Sequence, residues 1–260
     1  MSFLVCESLT KNFGGLQAVS GMNFKMEEGE IVGVIGPNGA GKTTIYNLIT
    51  GYLRPTSGKI YYRGQDITHL LPNEIAERGL IRTFQKINVF KDLSVLENVI
   101  IGRYLHIQAG YGHALVRSRK SRDEEKHTYK EALRILDFVG LSGWEKQLAK
   151  NLPYGLQRAL GIAIALAAKP KLLLLDEPAS GMNTEEKKHI TEVIRKIFKW
   201  GVSMLVVEHD MNVVMKLCPR IVVLVSGSVV TEGTPEEVQH NPKVIEVYLG
   251  KSYKHSLKAD

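Results

Sequence analysis

The sequence predicts an α/β fold organised around a sheet whose central strands are buried on both faces. Three stretches lead there: the run Ile31–Ile35 closed by a glycine-rich turn, the four leucines Leu172–Leu175, and the apolar run Ser203–Val207. A strand that is apolar at successive positions leaves no face for water, which is the pattern of a parallel sheet covered by helices on both sides. Between these runs lie segments with apolar residues at helical spacing, such as "VLENVIIGRYL" and "YKEALRILDFV".

Composition narrows the class. A chain of 260 residues suffices for one large domain or for a core with an inserted lobe. At 44% hydrophobic and 23% charged it is too apolar for a disordered chain. Its longest apolar runs, Leu172–Leu175 and Ile221–Val225, fall far short of the roughly 18 residues that span a bilayer. The start "MSFLVCESLTKNF" lacks the basic head and apolar stretch of a signal peptide. Cys6 and Cys218 have no metal-ligand spacing and are expected to be buried thiols in a reducing, cytoplasmic setting. The net charge is +7, and residues 103–130 (seven Lys or Arg against three Asp or Glu) and 251–260 (three against one) hold nearly all of it. No aromatic-interleaved basic motif accompanies the charge, so no nucleic-acid partner is expected. Solvated faces, or contact with anionic lipid headgroups or a membrane partner, account for it.

The turn after Ile31–Ile35 carries the clearest chemistry. Gly36, Pro37, Asn38, Gly39, Ala40, Gly41, Lys42 and Thr43 match G-x-x-x-x-G-K-[ST], and Thr44 follows. Glycines open a backbone path in which successive N–H groups turn inward around phosphate oxygens. Lys42 adds a point charge at the β- and γ-phosphates, Thr43 offers a hard oxygen for Mg²⁺, and the next helix aims its positive end at the anion. "KLLLLDEP" supplies what remains: Asp176 at a strand end for the metal, and Glu177 to hold an attacking water. In "WGVSMLVVEHDM", His209 stands at another strand's C-terminal end, where α/β sheets bind ligands, and is assigned to sensing the γ-phosphate.

These residues resemble an ABC transporter ATPase, and the resemblance runs through nearly the whole chain in the family's order. Phe13 stands at the aromatic that stacks on adenine, and Gln85 in "IRTFQKINVF" at the glutamine bordering core and lobe. "LPYGLQR" lies at the signature position, "LLLLDEP" at the Walker B strand, "ASGMN" at the loop after it, and His209 at the switch histidine. The resemblance implies a P-loop NTPase (RecA-like) core with an antiparallel β layer and an inserted mainly helical lobe. It implies ATP and Mg²⁺ as cofactors, with Glu177, His209 and Gln85 as catalytic residues and Thr43, Gln85 and Asp176 around the metal. Two cassettes would pair head to tail, so that Pro153, Tyr154 and Gly155 serve the partner's nucleotide.

Departures from the family pattern bear on rate. The usual Leu-Ser-Gly-Gly-Gln signature is Leu152-Pro153-Tyr154-Gly155-Leu156, without the serine hydroxyl or its N–H. Ile164 replaces a usual arginine, and Asn183 stands where many members carry Asp. Each lost hydrogen bond to a charged group weakens the closed state by roughly 1.5–3 kcal/mol.

Residues 1–86 and 166–260 are expected to form the nucleotide-binding core, and 87–165 the helical subdomain. "GEIVGVIG" and "SGKIYYRGQDIT" resemble the antiparallel layer over the adenine. Helices are predicted over 95–105, 129–139 and 157–168, with a polar lobe excursion over 108–127 and an exposed, mobile tail over 251–260. Thr234 is the expected N-cap of a helix starting at Pro235. The sub-family features "LIRTFQKINVFKDLSVLENVIIGR", "VIEVYLG", "LPYG" and "SGMN" resemble branched-chain amino-acid importer ATPases. Uptake of branched-chain or other hydrophobic amino acids is the function this implies, at the cytoplasmic face of the membrane with integral permease subunits. The alternatives are lipid or lipopolysaccharide export and a soluble non-transport ABC ATPase.

Overall fold

The structure, a computed structural model, describes residues 2–83, 88–103 and 119–249. The N-terminal third builds a four-stranded antiparallel sheet. Strands β1 (Leu4–Phe13) and β2 (Leu16–Met26) form a hairpin, and β4 (Ser57–Tyr62) and β5 (Gln65–Asp66) extend it in the order β2-β1-β4-β5. The second sheet has six strands: β3 (Ile31–Ile35), β6 (Leu80–Arg82), β7 (Leu172–Asp176), β8 (Ser203–Val207), β9 (Arg220–Val225) and β10 (Ser228–Gly233). Their order is β10-β9-β3-β8-β7-β6, parallel except for the β9–β10 pair. "GEIVGVIG" is thus a correction. It supplies β3 of the parallel sheet and no strand of the antiparallel layer, because an all-apolar strand needs cover on both faces.

The leucine run shows that double burial directly. Leu173 and Leu175 pack into one hydrophobic cluster with helices on that side, while Leu172 and Leu174 pack into the other, against the antiparallel layer. Side chains alternate with a period of two, so four apolar residues in a row are needed to fill both cores. Both cysteines are buried, as expected, and burial pushes each thiol up to about 12.

Helices α1 (Lys42–Ile49) and α2 (Pro72–Glu77) lie in the first third, and α3 (Val95–Gly102) follows. Then come α4 (Arg119–Phe138), α5 (Tyr154–Ala167), α6 (Thr184–Lys199), α7 (Met211–Leu217), α8 (Pro235–Gln239) and α9 (Pro242–Leu249). Three start in reciprocal caps with a Glu three residues on: Ser94 with Glu97, Asn183 with Glu186, and Thr234 with Glu237. The last is the cap expected from sequence. In α6, Ile190, Val193, Ile194 and Ile197 form the buried stripe that docks the helix on the sheet.

Three helix bounds differ from the sequence reading. The first ends at Gly102, with Arg103 as its C-cap, and residues 104–118 lie outside the described residues. The second begins at Arg119, ten residues early, so the later part of the 108–127 excursion is helical. Its Arg, Lys and Glu residues favour helix without showing an apolar stripe. The third begins at Tyr154 rather than Gln157, because Pro153 takes the extended N-cap position and Gly155 is accommodated inside the first turn. The 251–260 tail lies outside the described residues. Among those described, no helix is long and apolar enough to cross a membrane.

Candidate nucleotide site

Strands β3, β8 and β7 are adjacent and parallel, so the residues that follow Ile35, Leu175 and Val207 emerge at one edge of the sheet. With strands about 4.8 Å apart, three distant sequence segments share one crevice.

The turn from Gly36 to Gly41 lies flush against its neighbours. Gly41, the N-cap of α1, has φ 99°, and a Cβ there would sit 2.6 Å from the Ala18 carbonyl oxygen. A Cβ on Gly36 would collide with the Leu224 carbonyl oxygen. Glycine is therefore required twice, once for conformation and once for space. No side chain caps the start of α1, which leaves its first N–H groups for an anion. Lys42 is buried, and its Nζ donates to the carbonyls of Gly36 (2.7 Å) and Pro37 (2.9 Å). Burial lowers its pKa, and the charges of Glu177 and Asp176 oppose that shift.

A cleft of about 940 Å³ opens over this loop, lined by Asn38 through Thr44, by Phe13 and Ala18 from the antiparallel layer, and by Glu177 and His209. Its size and mixed lining suit a nucleotide. Phe13 is 45% exposed at the cleft wall, with Lys11 Nζ 5.1 Å from its ring centroid. At its far side Glu177 Oε1 and His209 Nε2 are 2.5 Å apart. Glu177 holds φ 49°, a left-handed conformation rare for a side-chain-bearing residue, and its N–H donates to Val207 O at 2.8 Å. Such strain persists where surrounding structure over-determines it, commonly at functional sites.

Two carboxylates hold this arrangement, and sequence reasoning missed the partners of both. Asp176 is buried at the end of β7, where Arg82 Nη2 meets its Oδ2 at 2.6 Å. Glu208 is 2% exposed and accepts N–H bonds from Ala179 (2.6 Å) and His209 (3.1 Å), joining the loop after Glu177 to the His209 turn. Burial raises the Glu208 pKa, and those backbone bonds pull it back down. Arg82 falls in "IRTFQKINVF", a stretch read from sequence for its glutamine alone. That β6 lies beside β7 is a fact of topology.

The signature residues stand apart from this cleft: Pro153, Tyr154 and Gly155 are not among its lining. Pro153 caps α5 without a side-chain bond. The Gly155 N–H donates to Glu186 Oε1 (3.3 Å), and Tyr154 Oη donates to Ser180 O (3.2 Å) while accepting from Arg158 Nη2 (2.8 Å). The turn is thereby tied to the loop after β7. Leu156 and Ile164 are half-buried against the core cluster, so these departures replace polar contacts with apolar packing. Gln85 lies outside the described residues.

Comparison with known proteins agrees with this geometry. The sequence profile described as ABC transporter matches residues 19–180, and one described as branched-chain amino acid ATP-binding cassette transporter matches 228–254. The chain is 39% identical over 250 residues to the high-affinity branched-chain amino acid transport ATP-binding protein BraF of Pseudomonas aeruginosa, covering 96% of this chain and 98% of that one. It is 40% identical over 253 residues to the probable branched-chain amino acid transport ATP-binding protein LivG of Archaeoglobus fulgidus, covering 96% of each. Among solved structures, the ADP conformation of MJ1267, an ATP-binding cassette of an ABC transporter, superposes with TM-score 0.84 at 31% identity, over 96% of this chain and 100% of that one. A dimeric post-hydrolysis cassette bound to ADP and Pi, MJ0796, superposes with TM-score 0.76 at 27% identity, over 90% and 99%. By sequence, fold and cleft alike, the chain belongs to the ABC transporter family, as one of its ATPase cassettes.

Proposed function

We propose that this cassette powers uptake of branched-chain or other hydrophobic amino acids, working at the cytoplasmic face of the membrane beneath integral permease subunits. Full-length similarity to branched-chain amino acid transport ATP-binding proteins supports the cargo class, and so does the matching profile over 228–254. The observation that carries the reading is the Glu177–His209 pair facing the loop cleft, with the signature turn outside it.

In this proposal Phe13 stacks on adenine, and Gly36, Pro37, Asn38, Gly39, Ala40, Gly41, Lys42, Thr43 and Thr44 cradle the phosphates. Thr43, Asp176 and Gln85 would hold Mg²⁺. The donors fit, since a hydroxyl and a carboxylate are hard oxygen ligands. When bound, Mg²⁺ would offset the negative charge of the phosphates. Glu177 orients the attacking water, while Gln85 and His209 register the γ-phosphate.

Lys42 exchanges its two carbonyl contacts for phosphate oxygens, trading neutral acceptors for charged ones. A second cassette, identical or not, supplies its own signature turn across the seam and receives this chain's Pro153, Tyr154 and Gly155, since the signature turn lies away from its own cleft. No nucleic acid takes part. Residues 1–86 and 166–260 act as the core, and 87–165 as the helical subdomain. Beside α5 and β6, an apolar-lined cavity of about 290 Å³, with Ile81, Ile162, Ile164 and Ala165 in its wall, fits a permease contact.

Glu177→Gln tests the chemistry. Turnover should fall about 10²–10⁴-fold while Mg-ATP binding persists. Unchanged turnover rejects the role of Glu177. Leucine-stimulated hydrolysis in vesicles containing the co-purifying permeases tests the cargo, and stimulation by lipid instead would overturn it.

A further inference from the structure

We infer that Arg82 is a positioning residue for the metal carboxylate, holding one oxygen of Asp176 so that the other is presented to Mg²⁺ and Lys42 stays available to phosphate. The inference rests on the proposed metal role of Asp176.

Arg82 ends β6 and Asp176 ends β7, on neighbouring parallel strands. Their side chains are 5% and 4% exposed. Nη2 meets Asp176 Oδ2 at 2.6 Å, while Nη1 donates to Asn47 Oδ1 at 2.5 Å. Asn47 belongs to α1, the helix that opens with Lys42 and Thr43. The guanidinium also lies 5.4 Å from the centroid of the Tyr46 ring, and the Tyr46 hydroxyl donates to Leu205 O of β8 at 2.6 Å. One planar cation therefore joins the metal carboxylate, the phosphate helix and the strand that leads into residues 84–87. The planar fork holds its donors at fixed spacing toward acceptors on two elements, a geometry that lysine's compact ammonium on a flexible stem does not reproduce.

The electrostatics explain why this matters. A carboxylate buried this deeply needs a paired cation or hydrogen-bond donors, and Arg82 supplies both at Oδ2. Lys42, of the phosphate loop, also feels the Asp176 charge, after that of Glu177. Without Arg82, Asp176 would draw on Lys42 and the two ligand-binding groups would neutralise each other. With Arg82 in place, Oδ1 of Asp176 accepts no hydrogen bond among the described residues, and Arg82 stays out of the cleft lining. Arg82 thus acts on the metal through Asp176 and touches no nucleotide.

The test is titration of Mg²⁺ into protein with a fluorescent ATP analogue, alongside binding of the analogue in EDTA, for wild type, Arg82→Met, Arg82→Lys and Asp176→Asn. Analogue binding in EDTA should weaken in Arg82→Met, where Asp176 draws on Lys42, and circular dichroism spectra report whether each variant is folded. The Mg²⁺ midpoint should rise roughly 10–100-fold in Arg82→Met, the range for removing a residue that orients a metal ligand. Arg82→Lys should fall between Met and wild type. Arg82→Met with a wild-type midpoint overturns the inference. If the Met variant loses binding in EDTA through misfolding, the Lys variant decides: a raised midpoint supports the inference and a wild-type midpoint overturns it. Asp176→Asn with a wild-type midpoint refutes the metal site itself. A shift in Asp176→Asn with none in the folded Arg82 variants refutes Arg82 alone.

Discussion

Replacing Glu208 by alanine should loosen together the loops that carry Glu177 and His209 and lower stability measurably. Its carboxylate accepts the Ala179 N–H at 2.6 Å and the His209 N–H at 3.1 Å, in a position only 2% exposed. Two hydrogen bonds to a charged acceptor are worth about 1.5–3 kcal/mol each. Alanine also removes the cost of burying the carboxylate, the effect that raises its pKa, so the net loss should be about 2–4 kcal/mol. A chain of 260 residues unfolding with about 2.1 cal/mol/K per residue has an entropy near 0.55 kcal/mol/K. The melting temperature should therefore drop by roughly 4–7 °C. Circular dichroism melts without nucleotide measure this. Steady-state turnover at saturating Mg-ATP should fall about tenfold or more as Glu177 and His209 lose their fixed separation. Glu208→Gln keeps an acceptor for Ala179 and should lie between. An alanine variant melting within 1 °C of wild type, or a Gln variant less stable than Ala, would refute this account.

Other perturbations probe separate layers. Leu174→Ala, at a fully buried position of β7, should cost about 2–5 kcal/mol in denaturant unfolding. Gly41→Ala puts a Cβ against the Ala18 carbonyl in a left-handed conformation and should weaken ATP binding at least about tenfold in equilibrium titration. The Lys187 hydrogen bond holds the Asp210 carboxyl below the usual range. Its contribution is complete above the ordinary Asp pKa and is lost as pH falls through the depressed one. Asp210→Asn should accordingly flatten the melting temperature against pH below about 4.

Legibility followed locality. The loop from Gly36 to Thr43, the strand ends at Asp176 and Val207, and the Thr234 cap are contiguous patterns whose chemistry is written in a few neighbouring residues. The start of α4 was not legible, because a charged helix without an apolar stripe has no period to read. Nor was the start of α5, where Pro153 and Gly155 look like a turn yet form a helix N-terminus.

What the chain determined by itself is the repertoire: a phosphate loop after a doubly buried strand, an acidic pair at the end of another, and a histidine at a third. Tertiary structure decided which groups face one another. Parallel order β3-β8-β7-β6 sets Glu177 against His209, Asp176 against Arg82, and Glu208 beneath both loops. Strand order is settled by packing two cores at once, a global property of the chain. The partner of a buried charge thus depends on which strand lies next to it, and no local stretch of sequence carries that information.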